Sequence, residues 1–234
     1  MDIWNIIVSS TPEILIAGLK YTLPIALVSF VLGLILALLT ALARISTTGG
    51  AFKIVKWICS FYIWLFRSTP LLVQLFIVYF GLPYLKIKGI FPKGIQMDPV
   101  LAGILTFTLN TGAYCSETIR GAIQSIANGQ WEAAASIGMT RKLALRRIIL
   151  PQSVRVSLPP LANSFISLVK DTSLAASITI VEMFEVSQQI AAANYQPLVM
   201  YTLVAAYYAI ACSLLAWLQS YLEKVTSRYV TPVN

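Results

Sequence analysis

The sequence predicts an all-α integral membrane protein, with about five transmembrane helices in a single transmembrane domain spanning residues 1–234. Three observations predict it. Hydrophobic residues make up 58% of the chain and charged residues 11%, whereas soluble domains hold roughly 45–50% apolar and about 25% charged residues. The charges are also segregated, because no Asp, Glu, Lys or Arg falls within 21–43, 68–85, 99–116 or 186–222. A helix needs about 20 apolar residues to cross the hydrocarbon core, and the gaps are of that order. Finally, the basic residues collect on one side of the predicted spans, the pattern of a membrane chain with a cytoplasmic face.

The first span is expected from about Pro12 to Ala43, with Thr11 as N-cap and Pro12 in the first turn. Ahead of it, Ile3, Trp4, Ile6 and Ile7 read as a short apolar stretch lying along the interface. The opening Met1-Asp2-Ile3-Trp4 lacks the basic start of a cleavable signal peptide, so the first span is expected in the mature protein. A second span, about Phe52 to Phe80, is interrupted by Arg67-Ser68-Thr69-Pro70, where proline removes a backbone donor and kinks the helix. After a Gly/Pro/Lys loop, residues 81–99, comes a third span from about Val100 to Ala122. Pro151 is expected to open a fourth span reaching Val169, and a fifth runs from about Leu198 to Leu222.

One side of these spans carries Arg44, Lys53, Lys56, Arg120, Arg141, Lys142, Arg146, Arg147, Arg155, Lys224 and Arg228. The other carries only Lys20, Lys86, Lys88, Lys93 and Lys170. The positive-inside rule therefore puts the N-terminus outside, the 120–155 segment in the cytoplasm and the C-terminus in the cytoplasm. The net charge of +8 is absorbed by this asymmetry, and no nucleic-acid partner is implied. Cys59, Cys115 and Cys212 lie in apolar sequence and read as buried core residues. The chain has no histidine and no Gly-Lys dipeptide, which removes the commonest metal ligand, the commonest general base and a P-loop lysine.

The cytoplasmic stretch GQWEAAASIGMTRKLALRRIILP is the most informative. Trp131 to Ile137 is alanine-rich and helix-forming, Gly138 is a left-handed stop, and Thr140 caps a second helix carrying Arg141, Lys142, Arg146 and Arg147. The product is a helix-turn-helix between the third and fourth spans whose small side chains admit a partner closely. Glu132-Ala133-Ala134, Gly138, Ile148, Leu150 and Pro151 resemble the EAA signature of ABC-importer permeases. RSTPLLVQ (67–74), NTGAYCSETIRGAI (110–123) and KDTSL (170–174) are similar to the polar amino acid permease family within that superfamily.

The resemblance implies a transmembrane permease subunit in the bacterial cytoplasmic membrane, paired with a second permease subunit, a copy or a paralogue. It further implies a cytoplasmic ATPase dimer that binds ATP and Mg, and an external solute-binding protein. This chain itself is then expected to hold no cofactor and to catalyse nothing. Glu132, Ala133, Ala134 and Gly138 correspond to the coupling helix that contacts the ATPase. Cystine is the first substrate suggested, with glutamine or a basic amino acid next.

An ionisable side chain near the bilayer centre costs about 2.5–3.5 kcal/mol on insertion scales, so the polar residues inside the spans call for partners or water. Asn110, Tyr114, Glu117 and Gly121 recur at i, i+4, i+7 and i+11 on one helix face. With Arg67, Thr69, Lys170 and Asp171 they form the expected substrate pathway, Glu117 facing an ammonium and Arg67 or Lys170 a carboxylate. Local readings remain open: Glu117 paired with Arg120, Lys170 neutralising Asp171, and Arg67 bonding the carbonyls freed at Pro70. An ion-coupled secondary carrier acting as a dimer, with Glu117 and Asp171 on the coupling ion, is the alternative function. An intramembrane enzyme finds no histidine, paired-carboxylate motif or serine signature to support it.

Overall fold

The computed structural model describes residues 3–46, 50, 52–86, 92 and 94–227, and every regular element among these is helical. Lys88, Lys93 and Arg228, which enter the topology argument, lie outside the described residues. Helix α1 runs unbroken for 43 residues, Ile3–Ile45, with one π-turn at Gly18–Thr22. At about 1.5 Å per residue it is roughly twice as long as the hydrocarbon core is thick. The expected interfacial stretch Ile3–Ile7 is thus simply its first turns, and Thr11 is no N-cap. Thr11 Oγ1 donates back to the Ile7 carbonyl at 2.7 Å and meets Tyr207 Oη at 2.7 Å, while Pro12 sits inside the helix. In an apolar helix a threonine satisfies its hydroxyl on the preceding turn, so a capping residue need not mark an end.

Helices α2, Phe52–Ser68, and α3, Leu71–Tyr84, meet at Pro70 with an angle of 110°. Instead of the single kinked span expected over 52–80, the chain turns back. Pro70 has no N–H to give the carbonyl of Phe66 four residues earlier. The side chain of Gln74 supplies it: Nε2 donates to Phe66 O at 2.9 Å, to Thr69 O at 3.0 Å and to Thr69 Oγ1 at 2.9 Å. Asn110 Nδ2 then donates to Gln74 Oε1 at 2.9 Å, tying the break to the next long helix. The carbonyls freed by the proline are therefore met by Gln74 rather than by Arg67.

Helix α4, Pro99–Gln124, starts at Asp98, whose carboxylate accepts from Val100 N at 2.9 Å and Leu101 N at 3.3 Å. A short helix α5, Asn128–Ser136, follows, and α6 runs from Arg141 to Ile178. Pro151 does not open a new helix as expected. It lies inside α6, two residues after a π-turn at Leu145–Ile149 that widens the helix just before the missing donor. Helix α7, Met183–Asn194, is bent by 52° from α6, and α8, Pro197–Ser227, closes the chain. Helices α1 and α8 are long and apolar enough to span alone, and the pairs α2/α3 and α6/α7 qualify together. With α4, 26 residues long but diluted by polar side chains, these make the five expected segments.

The broadest helix contact joins α1 to α4. Lipid offers no hydrophobic drive for such packing, so small residues and close backbones must carry it. A Cβ on Gly33 would lie 3.0 Å from Thr111 Cβ, and one on Gly112 would lie 2.7 Å from Tyr62 Oη and 3.0 Å from Leu36. Ser29 Oγ donates to the Ile104 carbonyl at 3.3 Å. Contact positions on the two helices rise together, so α1 and α4 run parallel. Ile25, Leu75, Phe107, Leu168 and Ile178 form a buried cluster that draws α1, α3, α4 and α6 around one centre.

Replacing Gln74 by Leu should strip Thr69 O of its side-chain donor and leave Phe66 O and Asn110 Nδ2 only their 3.5 Å contact with each other, at about 1–3 kcal/mol for each buried group left unpaired. A marked fall in the thermal midpoint of the detergent-purified protein is the expected outcome, and an unchanged midpoint would contradict this account of the turn.

Candidate functional site

Two cavities share Tyr114 in their walls. The first, about 460 Å³, is walled by Thr69 at the α2/α3 turn, Asn110 and Tyr114 on α4, and Asn163, Ser167 and Asp171 on α6. Its volume lies in the range of small-molecule sites. The helix breaks explain why these groups converge. The Pro70 turn ends α2 at the cavity wall, and positions 163, 167 and 171 recur one turn apart on one face of α6. Asp171 has no hydrogen-bond or ion-pair partner among the described residues, so its carboxylate is free for a ligand.

The second cavity, about 440 Å³, is lined by Arg44, Ser60, Arg67, Ser68, Tyr114 and Glu117. Arg67 lies over the ring of Tyr114, with its guanidinium carbon 5.5 Å from the centroid. Glu117 is held on both sides. Arg120 donates to its Oε2 through Nη2 at 2.6 Å and Nε at 3.0 Å, and Arg44 Nη1 donates to its Oε1. The bond from Arg44 joins α1 to α4.

Of the seven residues read as a pathway, Thr69, Asn110, Tyr114 and Asp171 face the first cavity, and Arg67, Tyr114 and Glu117 the second. Lys170 is turned away, into a mostly apolar groove with Phe184, Tyr201 and Cys212. No ion pair joins it to Asp171 among the described residues, because adjacent helical positions point about 100° apart. Gly121, the last member of the α4 stripe, faces open space.

Sequence reasoning missed several groups. Asn163, Ser164 and Ser167 line the first cavity, and the helical spacing that picked out the stripe on α4 applies to them equally. Arg44, read as a loop charge, reaches Glu117 only because α1 and α4 run side by side. Glu182 is fully buried: it accepts from Tyr208 Oη at 2.7 Å, from Thr22 Oγ1 at 3.5 Å and from Glu185 N at 2.8 Å. It caps α7 and fastens it to α1 and α8.

The segment joining α5 to α6 forms a tight elbow. Gly138 has φ +76°, and Thr140 Oγ1 accepts from Leu143 N at 3.4 Å to start α6. The Arg141 guanidinium carbon stands 5.3 Å from the Trp131 ring centroid, bracing one arm against the other. Glu132, Ala133 and Gly138 are exposed, whereas Ala134 is buried and packs inward. Ile137, which the motif reading passed over, is 75% exposed at the tip.

Residues 33–228 match the family described as "binding-protein-dependent transport system inner membrane component". The L-cystine transport system permease protein TcyB of Bacillus subtilis (strain 168) is 45% identical over 228 residues, covering 97% of this chain and 92% of that protein. The glutamine transport system permease protein GlnP of Escherichia coli (strain K12) is 36% identical over 221 residues, covering 94% and 96%. A crystal structure of an amino acid ABC transporter with histidines superposes with a TM-score of 0.86 at 31% identity, covering 96% of this chain and 98% of that one. The MetNI methionine ABC transporter, at TM-score 0.73 and 20% identity, shares the fold over 93% of this chain and 98% of its own. With the family matched over residues 33–228 and a 45% identical permease covering 97% of the chain, the chain belongs to the binding-protein-dependent transport system inner membrane component family, as a multi-pass permease of the ABC-importer type.

Proposed function

We propose that this permease carries a polar amino acid, with cystine the foremost candidate and glutamine or a basic amino acid next. The observation that carries this reading is the first cavity, where the unpaired Asp171 carboxylate faces the Asn110 and Asn163 amides and the Ser164 and Ser167 hydroxyls across about 460 Å³. A carboxylate with no hydrogen bond and no ion-pair contact suits the substrate's ammonium, and amides and hydroxyls suit a group that both donates and accepts. Glu117 is the weaker choice for the ammonium because two arginines already hold it. The 45% identity to a cystine-system permease supports the substrate order.

In this reading the elbow is the contact with a cytoplasmic ATPase dimer that binds ATP and Mg. Ala133 and Gly138 expose small residues beside the Glu132 carboxylate, Ile137 is exposed next to them as an apolar anchor, and Ala134 is buried behind. A second permease, a copy or a paralogue, completes the passage, and a solute-binding protein delivers substrate from outside. The N-terminus is then outside and the C-terminus cytoplasmic.

Asp171→Asn should lower ATP-driven amino-acid uptake about tenfold or more, the loss of one charge-assisted contact. Lys170→Gln, in the separate groove, should leave uptake near the wild-type level, and the reverse ranking would refute the ammonium assignment. Gly138→Val places a β-branched residue at positive φ, a true outlier for such a side chain. Membrane insertion should survive while co-purification with the ATPase and uptake are lost; normal uptake would remove the elbow from coupling. In a background lacking native cysteines, a cysteine at Tyr84 should react with an impermeant thiol reagent from outside, and one at Ile137 only after the membrane is opened. Both side chains are well exposed, at 84% and 75%, so the opposite pattern would invert the orientation.

A further inference from the structure

The second cavity is electrostatically unbalanced. Arg44, Arg67 and Glu117 line it, and Arg120 stands against the far side of Glu117. One carboxylate oxygen is taken by Arg44 and the other by Arg120, so nothing acidic remains for Arg67. Among the described residues Arg67 has no hydrogen-bond acceptor and no ion-pair partner; its contact is the face of Tyr114, 5.5 Å from the centroid. A cation over a ring spends none of its N–H donors on an acceptor, and the guanidinium edge is one that binds a carboxylate bidentately. Ser60 and Ser68 add hydroxyls to the same wall. Arg67 and Ser68 are both exposed, and an exposed guanidinium within a span faces water or a polar ligand, not lipid.

Tyr114 lines both cavities. It therefore borders both a chamber that holds the Asp171 carboxylate and one that holds the Arg67 guanidinium. We propose that Arg67 and Ser68 form a second station, specific for the substrate's α-carboxylate, and that the Tyr114 ring is the partition between this station and the ammonium station at Asp171. This rests on the amino-acid transport reading above, which supplies the zwitterion. The stacked guanidinium holds the ring across the passage. A carboxylate bound at the Arg67 edge waits beside the ring, and the ring must turn aside for the ligand to pass between the two stations.

The test uses the complete importer, permease with ATPase and binding protein, reconstituted in liposomes with ATP on the ATPase side and radiolabelled L-cystine or L-glutamine on the other. Arg67→Gln should lower uptake about tenfold or more, as expected for losing a bidentate charged contact, while complex assembly and the melting temperature are retained. Arg67→Lys should recover part of the loss. Tyr114→Ala should pass amino acid down its gradient without ATP. Wild-type uptake by Arg67→Gln, or a sealed Tyr114→Ala, overturns the proposal while leaving amino-acid transport standing. If Arg67→Lys fails as fully as Arg67→Gln and both melt lower, Arg67 is structural and the proposal is overturned. If the wild-type importer itself shows no ATP-dependent uptake of L-cystine, L-glutamine or, assayed the same way, L-arginine, the transport reading fails first and this inference falls with it.

Discussion

The carboxamide of Gln74 is the interaction on which the interior depends. Within hydrocarbon every backbone polar group must find a protein partner, and Pro70 deletes a donor at the break between α2 and α3. Gln74 restores the bond that Pro70 cannot make to Phe66 O, and its own oxygen then receives Asn110. One side chain thus lets the chain reverse by 110° and fixes the reversed segment to α4. The first cavity is a consequence, since its wall at Thr69 exists only because α2 stops there. An amide suits the task better than a charged group, because it donates and accepts at once and leaves no net charge to be neutralised.

The charges divide along the same lines. Glu117 is spent on Arg44 and Arg120 and pins the parallel pair α1 and α4. Asp171 and Arg67 keep their valences open in the two cavities that Tyr114 borders. A buried charge with a partner is architecture, and a charge left without one inside a polar cavity costs stability that only a ligand recovers. Glu182 belongs to the first kind: a hydroxyl from each of α1 and α8 and an N–H of α7 fill its oxygens, so it holds the last third of the chain together.

The five segments, the elbow with Gly138 and Thr140, and the polar stripe on α4 were legible because each is a matter of local periodicity or turn chemistry. The size of the Pro70 turn was not, since a missing donor says that a helix breaks and says nothing of the angle. Gln74 stands one helical turn beyond that proline, where an amide in an apolar run was a readable signal. The Arg44–Glu117 bond was beyond reach, because it depends on which two distant helices run side by side. Thr11 and Pro12 misled for a related reason: in a membrane helix both are tolerated well inside the element, so they lose the meaning they have at soluble helix starts.

Helix α6 carries both the elbow at its first residue and Asp171 near its far end, as one continuous rod from Arg141 to Ile178. The π-turn at Leu145–Ile149 packs an extra residue into that rod. Its length therefore sets an angular phase. Deleting one residue there would turn everything beyond it by about 100°, swinging Asn163, Ser167 and Asp171 out of the cavity together while leaving every one of them in the sequence. Family members should accordingly keep the spacing of this turn, because the count of residues between elbow and cavity is itself a functional quantity.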